Sequence, residues 1–443
     1  MTLSKHSSIV IIGARSLEAE RSVSAQLFTW RSVAIAISYI IRTEYEDELC
    51  TELAVEALRA WRQPMWNGIF YETGRITTTS GDPEAAESLK ESYDNLQRAG
   101  AAASIEFVEG KKQIVKFCPQ LASAPGIDEW KGLWNSEAGW AHARKALEKL
   151  ASESEKMGVK FVSGCKGTMT GLALDAKNTL LGIKVASGDT IKADRYILST
   201  GAASPGLLPD ILSAQLWSKC WTLAHVELSA EEIEQWKGIP VIDNMELGFT
   251  FEPDPETSKL SHPRTVTNAV LNEFTSGLMK ICNAFPGYQC LQGEYTDPET
   301  GKKTIFSVPR YASDHPADSI PAEATEGIKR FIAAVMPQFS GRPLVQARVC
   351  WCTDSPDSHY LIDNHPEHPS LLLATGESGH AFKMLPIIGD YIVDALEGLE
   401  RGLKTEWRYG GRKIVKNVTR PRTEVKDLRS VLGIQDIDFK SKL

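Results

Sequence analysis

Apolar positions first cluster as an unbroken run, Ser8 to Ala14 (SIVIIGA), that stops at a glycine. A short run without alternation predicts a parallel strand buried on both faces. Helical spacing follows over about Thr51 to Arg62, then a short aromatic strand over Ile69 to Gly74. Pro83 to Arg98 places Ala85, Leu89, Tyr93 and Leu96 on one helical face, and Gly100 stops it. Ala141 to Met157 repeats the pattern with Ala143, Ala146, Leu147, Leu150 and Met157, ending at Gly158. Val159 to Val162 then reads as a strand. Leu180 to Ala186 with Thr190 to Ala193 reads as a hairpin turned at Ser187-Gly188-Asp189, and Arg195 to Thr200 as a strand that stops at Gly201-Ala202.

From about Trp217 to Gln346 the texture shifts toward proline, aromatic and turn residues, which predicts a second, mixed domain. Its strand-like runs include Leu223 to Leu228 and Gly248 to Phe251. Ser229 and Glu232 have capping-box spacing for a short helix, and Ala322 to Val335 predicts another, closed by Pro337. The chain then returns to an apolar strand, Leu371 to Ala374. A helix opened by Pro386 follows, with Ile388, Ile392, Ala395, Leu396 and Leu399 facing inward. This closing unit is expected to complete the first domain.

With 443 residues and 42% hydrophobic content the chain can form two or three domains with real cores. Its net charge of −8 gives no general attraction for nucleic acid or anionic lipid. No run of about 18 apolar residues predicts a membrane span, and the N-terminal segment lacks the layout of a secretory leader. Eight cysteines in a chain of this length read as reduced thiols. Ser441-Lys442-Leu443 spells a peroxisomal address, so an import receptor is an expected partner.

The opening glycine turn is a damaged dinucleotide fingerprint. Backbone approach to a pyrophosphate needs GxGxxG, whereas Gly13 is followed by Ala14-Arg15-Ser16-Leu17-Glu18. Glu18 and Glu20 also oppose phosphate at a helix N-terminus. No acidic ribose-binding residue is visible between Ala19 and Ile41. The later motifs are fuller: ATGESGHAFKMLP from Ala374 to Pro386, RVCWCTD from Arg348 to Asp354, LIDNHP from Leu361 to Pro366, SEAGWAHAR from Ser136 to Arg144, YETG from Tyr71 to Gly74 and KICNAFPGY from Lys280 to Tyr288.

Together these resemble the fungal fructosyl amino acid oxidases, or amadoriases, relatives of monomeric sarcosine oxidase and saccharopine oxidase, from about Ile40 to about Glu400. The resemblance implies a two-domain α/β plus α+β flavoprotein. A Rossmann-like FAD-binding domain with a degraded N-terminal fingerprint would take residues 1–78, 139–216 and 347–410. A mixed antiparallel-sheet substrate domain would take 79–138 and 217–346, and 411–443 would be a tail carrying the peroxisomal signal.

It also implies roles. Cys350 matches the cysteine joined to the flavin of FAD by a thioether, with Cys352 the weaker neighbour. Without the resemblance a buried apolar thiol is the ordinary reading, and a CxC pair with no second pair does not suit zinc. Lys280 matches the lysine over the flavin where dioxygen is reduced, and Lys383 the lysine that holds the substrate carboxylate. Gly376, Ser378, Gly379 and Phe382 match the turn under the flavin ring, Gly201-Ala202 a second cofactor turn, and Gly13-Ala14 what remains of the first. His142 and His380 receive no catalytic role.

The implied reaction is FAD-dependent oxidation of a secondary amine by hydride transfer, with dioxygen giving hydrogen peroxide. The implied protein is a monomer that needs no metal. Ala284, where relatives acting on sugar adducts carry an acidic residue, and Trp407-Arg-Tyr-Gly-Gly411, closer to the saccharopine-oxidase side, point to an N-substituted amino acid without fixing which. The extra sequence between Lys259 and Met279 has no place in the family pattern. The damaged fingerprint leaves a second reading open, a flavin-free relative without activity; a nicotinamide dehydrogenase would leave Cys350 and the terminal tripeptide unexplained.

Overall fold

The computed structural model describes residues 8–13, 38–254, 277–283, 287–412 and 425–432. Ala14, Ala284, most of the extra segment after Lys259 and the terminal tripeptide lie outside them.

The opening apolar run forms the strand Ile9–Gly13, which pairs in parallel with Arg195–Ser199, and that strand in turn with Leu371–Thr375. Leu361–Asn364 closes the sheet antiparallel at its edge. Alternate residues of these strands enter two different cores. Ile197, Ile362 and Leu372 pack with Leu53, Ala57, Leu58 and Trp61 of the helix Glu48–Trp61 and with Ile388, Ile392 and Leu396 of the helix Ile388–Glu397. Ile12, Tyr196, Leu198, Leu371 and Leu373 pack the other way, against Met169, Ile183, Leu208 and Leu212. Covering both faces is why the runs are continuously apolar.

The register brings the glycine turns together. Gly13 stands opposite Ser199 and Leu198 opposite Leu373, so Gly13, Gly201 and Gly376 all leave the carboxyl edge of one parallel sheet. That edge is where open α/β sheets take their ligands.

The region after Trp217, joined by the earlier strands Arg75–Thr79, Ile105–Glu109 and Lys131–Asn135, builds a ten-stranded, mostly antiparallel sheet around the strand Trp217–Leu228. Gly277–Asn283 and Val345–Asp354 both pair with it. The helix Ala322–Val335 covers one side of this sheet through Ala324, Ile328, Phe331 and Ile332. A three-stranded sheet of Ser38–Ile41, Gly139–His142 and Phe70–Tyr71 packs on the other side, where Trp140 meets Leu223, Phe251 and Cys282. Among the described residues no helix is long and apolar enough to cross a membrane.

Several elements differ from the sequence pattern for physical reasons. The first long helix starts at Glu48 rather than Thr51, because the Asp47 carboxylate accepts the Cys50 N–H at 2.7 Å and caps it. The helix predicted from Ala141 starts at Ala143 because Gly139–His142 is used as a central strand. Val159 to Val162 is not a strand: among the described residues no neighbouring strand pairs with it, and both valines are about two-fifths exposed, at 43% and 40%. Leu399 is exposed, since the left-handed Gly398 ends the helix before it.

One feature of the large sheet was not legible in the pattern. Lys219, wholly buried, is ion-paired with buried Asp354 across paired strands, with its ammonium 5.3 Å from the Trp217 ring centroid and 4.7 Å from that of Trp221. The Cys352 thiol donates to the Lys219 carbonyl at 3.3 Å. Removing one partner of such a pair leaves an uncompensated buried charge. Lys219→Met is therefore expected to lower unfolding free energy by about 3–5 kcal/mol, and the double change with Asp354→Leu to recover most of that loss in denaturant melts.

Candidate active site

Strand register decides which side chains share a face. Lys280 stands opposite His225, Cys282 and Arg348 opposite Leu223, and Cys350 opposite Trp221. Directly paired residues point to the same side of a sheet, so Lys280, Cys282, Arg348 and Cys350 share the face on which the strand Ser38–Ile41 is laid. Cys350 is half-buried, whereas Cys352 is buried.

Tyr39 joins the predicted groups. Its hydroxyl is 3.5 Å from Cys350 Sγ, and its ring stacks on Phe382 with centroids 4.7 Å apart at 28°. The Lys280 ammonium sits 5.2 Å from the Tyr39 ring centroid and 5.1 Å from that of Phe251, and donates to the Ser38 carbonyl at 2.6 Å. Burial pushes the Lys280 ammonium down from its ordinary pKa, and the positive charge of Arg348 adds to the shift. Burial likewise pushes the Tyr39 phenol well up.

The turn after Leu371–Thr375 is shaped by backbone that few residues adopt. Gly376 has φ +68°, Ser378 +43° and Gly379 +75°. A Cβ at Gly376 would lie 3.1 Å from the Leu361 nitrogen, while at Gly379 nothing is within 4 Å, so one side of the turn faces open space. The turn is clipped to the strand that carries Cys350: Ser378 N–H donates to the Thr353 carbonyl at 2.8 Å, and Thr353 N–H to Glu377 Oε1 at 2.9 Å. A chain of hydroxyls, Thr200 to Ser204 at 2.8 Å and Ser204 to Thr375 at 2.9 Å, ties it to the turn at Gly201, whose φ is +48°. Ala202 is buried and its carbonyl accepts from the Ser218 hydroxyl at 2.6 Å.

Lys383 follows Phe382 on the same segment. Its ammonium donates to the Gly379 carbonyl at 2.8 Å, and its own carbonyl accepts from the Trp61 indole N–H at 2.7 Å. Burial, then the charges of Arg42 and Arg75, hold its ammonium well below the ordinary lysine range. Arg42 lies 4.0 Å over the Tyr45 ring, and Arg75 pairs with Asp243 at 2.5 Å and Glu44 at 3.6 Å. Tyr39 and Arg42 carried no motif signal: both lie at or beside a four-residue strand whose role arises from contacts with distant parts of the chain.

His142 caps the helix Ala143–Lys156 and stands 3.5 Å from Asp254. His380 sits edge-on to Tyr45 at 5.1 Å, and burial pushes its imidazole well down. One Asp–Cys–His group, Asp47, Cys50 and His359, has ligand atoms within 4.8 Å of one another. Asp47 there is committed to the helix cap and to an ion pair with His359 at 3.3 Å.

The described residues fit the ring end of a flavin. Glycine turns converge at one sheet edge, Gly379 leaves open space beside its turn, and a half-buried thiol and a buried ammonium meet across stacked aromatics.

Fold and site define an FAD-dependent oxidoreductase. The chain belongs to the family described as FAD dependent oxidoreductase (DAO), which matches residues 17–395. It is 28% identical over 388 residues to L-saccharopine oxidase of Schizosaccharomyces pombe, covering 85% of this chain and 84% of that protein. An amino acid oxidase of Aspergillus fumigatus is 22% identical over 407 residues, covering 80% and 79%. Among solved structures, the fructosamine oxidase Amadoriase II of Aspergillus fumigatus superposes with TM-score 0.76 at 29% identity over 97% of each chain. A modified fructosyl peptide oxidase of Aspergillus nidulans reaches 0.81 at 27% identity, covering 97% and 99%.

Proposed function

We propose that the protein oxidises a secondary amine, an N-substituted amino acid, with release of hydrogen peroxide. The observation that carries this reading is the meeting of Cys350, Lys280 and Phe382 around Tyr39, with Lys383 the next residue after Phe382. The FAD-binding unit is assigned to 1–78, 139–216 and 347–410, and the substrate unit to 79–138 and 217–346. Bound there, FAD supplies the redox step, taking a hydride from the carbon beside a neutral amine nitrogen and passing the electrons to dioxygen.

The protein's part is to bind, orient and charge the site. Cys350 anchors the flavin covalently, and Lys280 holds a positive charge where dioxygen gains negative charge. Gly376, Ser378 and Gly379 let the backbone approach the ring, and Gly13 and Gly201 do so along the rest of the cofactor. Lys383 and Arg42 receive the substrate carboxylate: the positive charge of Arg42 helps to hold the Lys383 ammonium down, and an anion between the two relieves it. The Ser441-Lys442-Leu443 tripeptide supports a peroxisomal setting, in which peroxide is disposed of locally.

The test is anaerobic bleaching of the flavin, followed by peroxide release in air, across sarcosine, N-methyl aromatic amino acids, saccharopine, pipecolate and fructosyl-lysine. Rapid bleaching by at least one, and none by nicotinamide cofactors, is expected; a flavin reduced only by nicotinamide would overturn the reading. Lys383→Met should raise KM for the carboxylate substrate about 10- to 100-fold, the loss of one charge-assisted hydrogen bond. The same variant should treat the decarboxylated amine as the wild type does.

A further inference from the structure

The proposed amine oxidation gives Tyr39 no part, although Cys350, Lys280 and Phe382 meet around it. Its strand, Ser38–Ile41, is held in two ways: it pairs with Gly139–His142, and the Ser38 carbonyl accepts from the Lys280 ammonium at 2.6 Å. The half-buried ring is stacked on Phe382 with centroids 4.7 Å apart, and its centroid lies 5.2 Å from that ammonium. Backbone and ring together fix the direction of the phenol, whose oxygen is 3.5 Å from Cys350 Sγ, where either atom can donate to the other.

Joining a flavin asks more of a cysteine than packing does. The thiolate is the attacking form, and an ordinary thiol is only a few per cent ionised near neutrality. A phenol keeps its proton there. Once the sulfur ionises, the Tyr39 hydroxyl is therefore the donor, and a hydrogen bond to a charged acceptor is about twice as strong as a neutral one. The other cysteine of the motif is placed differently. Cys352 Sγ lies 3.3 Å from the Lys219 carbonyl and 3.6 Å from the Asp354 carboxylate, both of them acceptors, which favour the protonated thiol.

On the reading that Cys350 carries the flavin, we propose that Tyr39 promotes the attachment: its hydroxyl donates to the Cys350 sulfur as the thiolate forms and aims that sulfur at the ring. The attachment balances as an oxidation. The S–H bond and one C–H bond of a ring methyl group break, an S–C bond forms, and two electrons with two protons pass to the flavin. Dioxygen, the oxidant of the proposed reaction, takes them up as hydrogen peroxide. Thiol, FAD and dioxygen thus give thioether-linked FAD and one peroxide, and Tyr39 is unchanged.

The experiment uses the full chain made free of flavin in riboflavin-starved cells and then mixed with saturating FAD. Samples are denatured at intervals, the covalent adduct is followed by intact mass, and a peptide map places it. Tyr39→Phe keeps the ring and its stack and removes only the hydroxyl. Attachment is expected to slow about 10- to 100-fold, the worth of one charge-assisted hydrogen bond, while the affinity for FAD, read from flavin fluorescence before attachment, stays at the wild-type value. Without dioxygen, bleaching of the flavin should accompany attachment and be slowed by the same factor.

Equal rates of attachment in wild type and Tyr39→Phe would overturn the inference and leave the bond to Cys350 standing. A variant that differs only in affinity, with the wild-type rate at saturation, would overturn it too, since Tyr39 would then merely shape the pocket. A wild-type protein that binds FAD and never forms the adduct would remove the covalent reading, and the role of Tyr39 with it. Should Tyr39→Phe not hold FAD, Tyr39→Met, which also lacks the donor, is judged by the same comparison of rates.

Discussion

Acid precipitation of the wild-type protein is expected to carry its flavin into the pellet, and Cys350→Ala to leave essentially all of it in the supernatant. A thioether survives unfolding, whereas contacts that depend on folded geometry do not. Cys350 suits the attachment because it is half-buried on the sheet face where Lys280 and Tyr39 meet, while six other cysteines are buried. Cys352 supplies the control. It lies two residues on along the same strand, but its thiol is turned to the Lys219 carbonyl at 3.3 Å and toward Asp354 at 3.6 Å. Cys352→Ala should leave the pellet yellow. A colourless wild-type pellet from a protein that binds FAD would remove the covalent bond from the proposal, and a colourless Cys352→Ala pellet would move it to the neighbour.

Much of this frame could be read from residue order because the signals were local. The helices Pro83–Arg98 and Ala322–Val335 have the predicted bounds, since proline and acidic residues mark where each begins. Ser229 and Glu232 form the reciprocal capping box their spacing predicts. The three strands that end in glycine were visible as apolar runs, and parallel pairing then aligned their turns.

Contacts made at long range were hidden. Tyr39 is 311 residues from Cys350, and nothing in the four-residue strand around it distinguishes an active-site ring from a half-buried one. Lys219 sits in a strand where a lysine ordinarily marks the solvent side; only the pairing with Val345–Asp354 reveals its carboxylate. Val159 to Val162 is the converse case. Its apolar valines resemble a strand, but a strand exists only if a neighbour supplies hydrogen bonds.

Lys280→Met is expected to slow reoxidation of the reduced flavin by dioxygen about 10²- to 10³-fold, the scale set by removing one preorganised charge from a developing anion. Reduction by the amine should change far less. Methionine keeps the length and apolar stem of lysine, so the packing against Tyr39 and Phe251 is conserved while the ammonium and its bond to Ser38 are lost. The charge is effective because the site is dry: Lys280 is 6% exposed, and a charge acts more strongly where water does not screen it. The same burial gives the prediction its pH signature. The ammonium is charged below its depressed pKa, so fast reoxidation is retained at lower pH and falls as pH rises through that value, a dependence the methionine variant should lack. Stopped-flow measurement separates the two half-reactions. Equal slowing of both would mean that Lys280 shapes the flavin pocket as a whole and does not act on dioxygen.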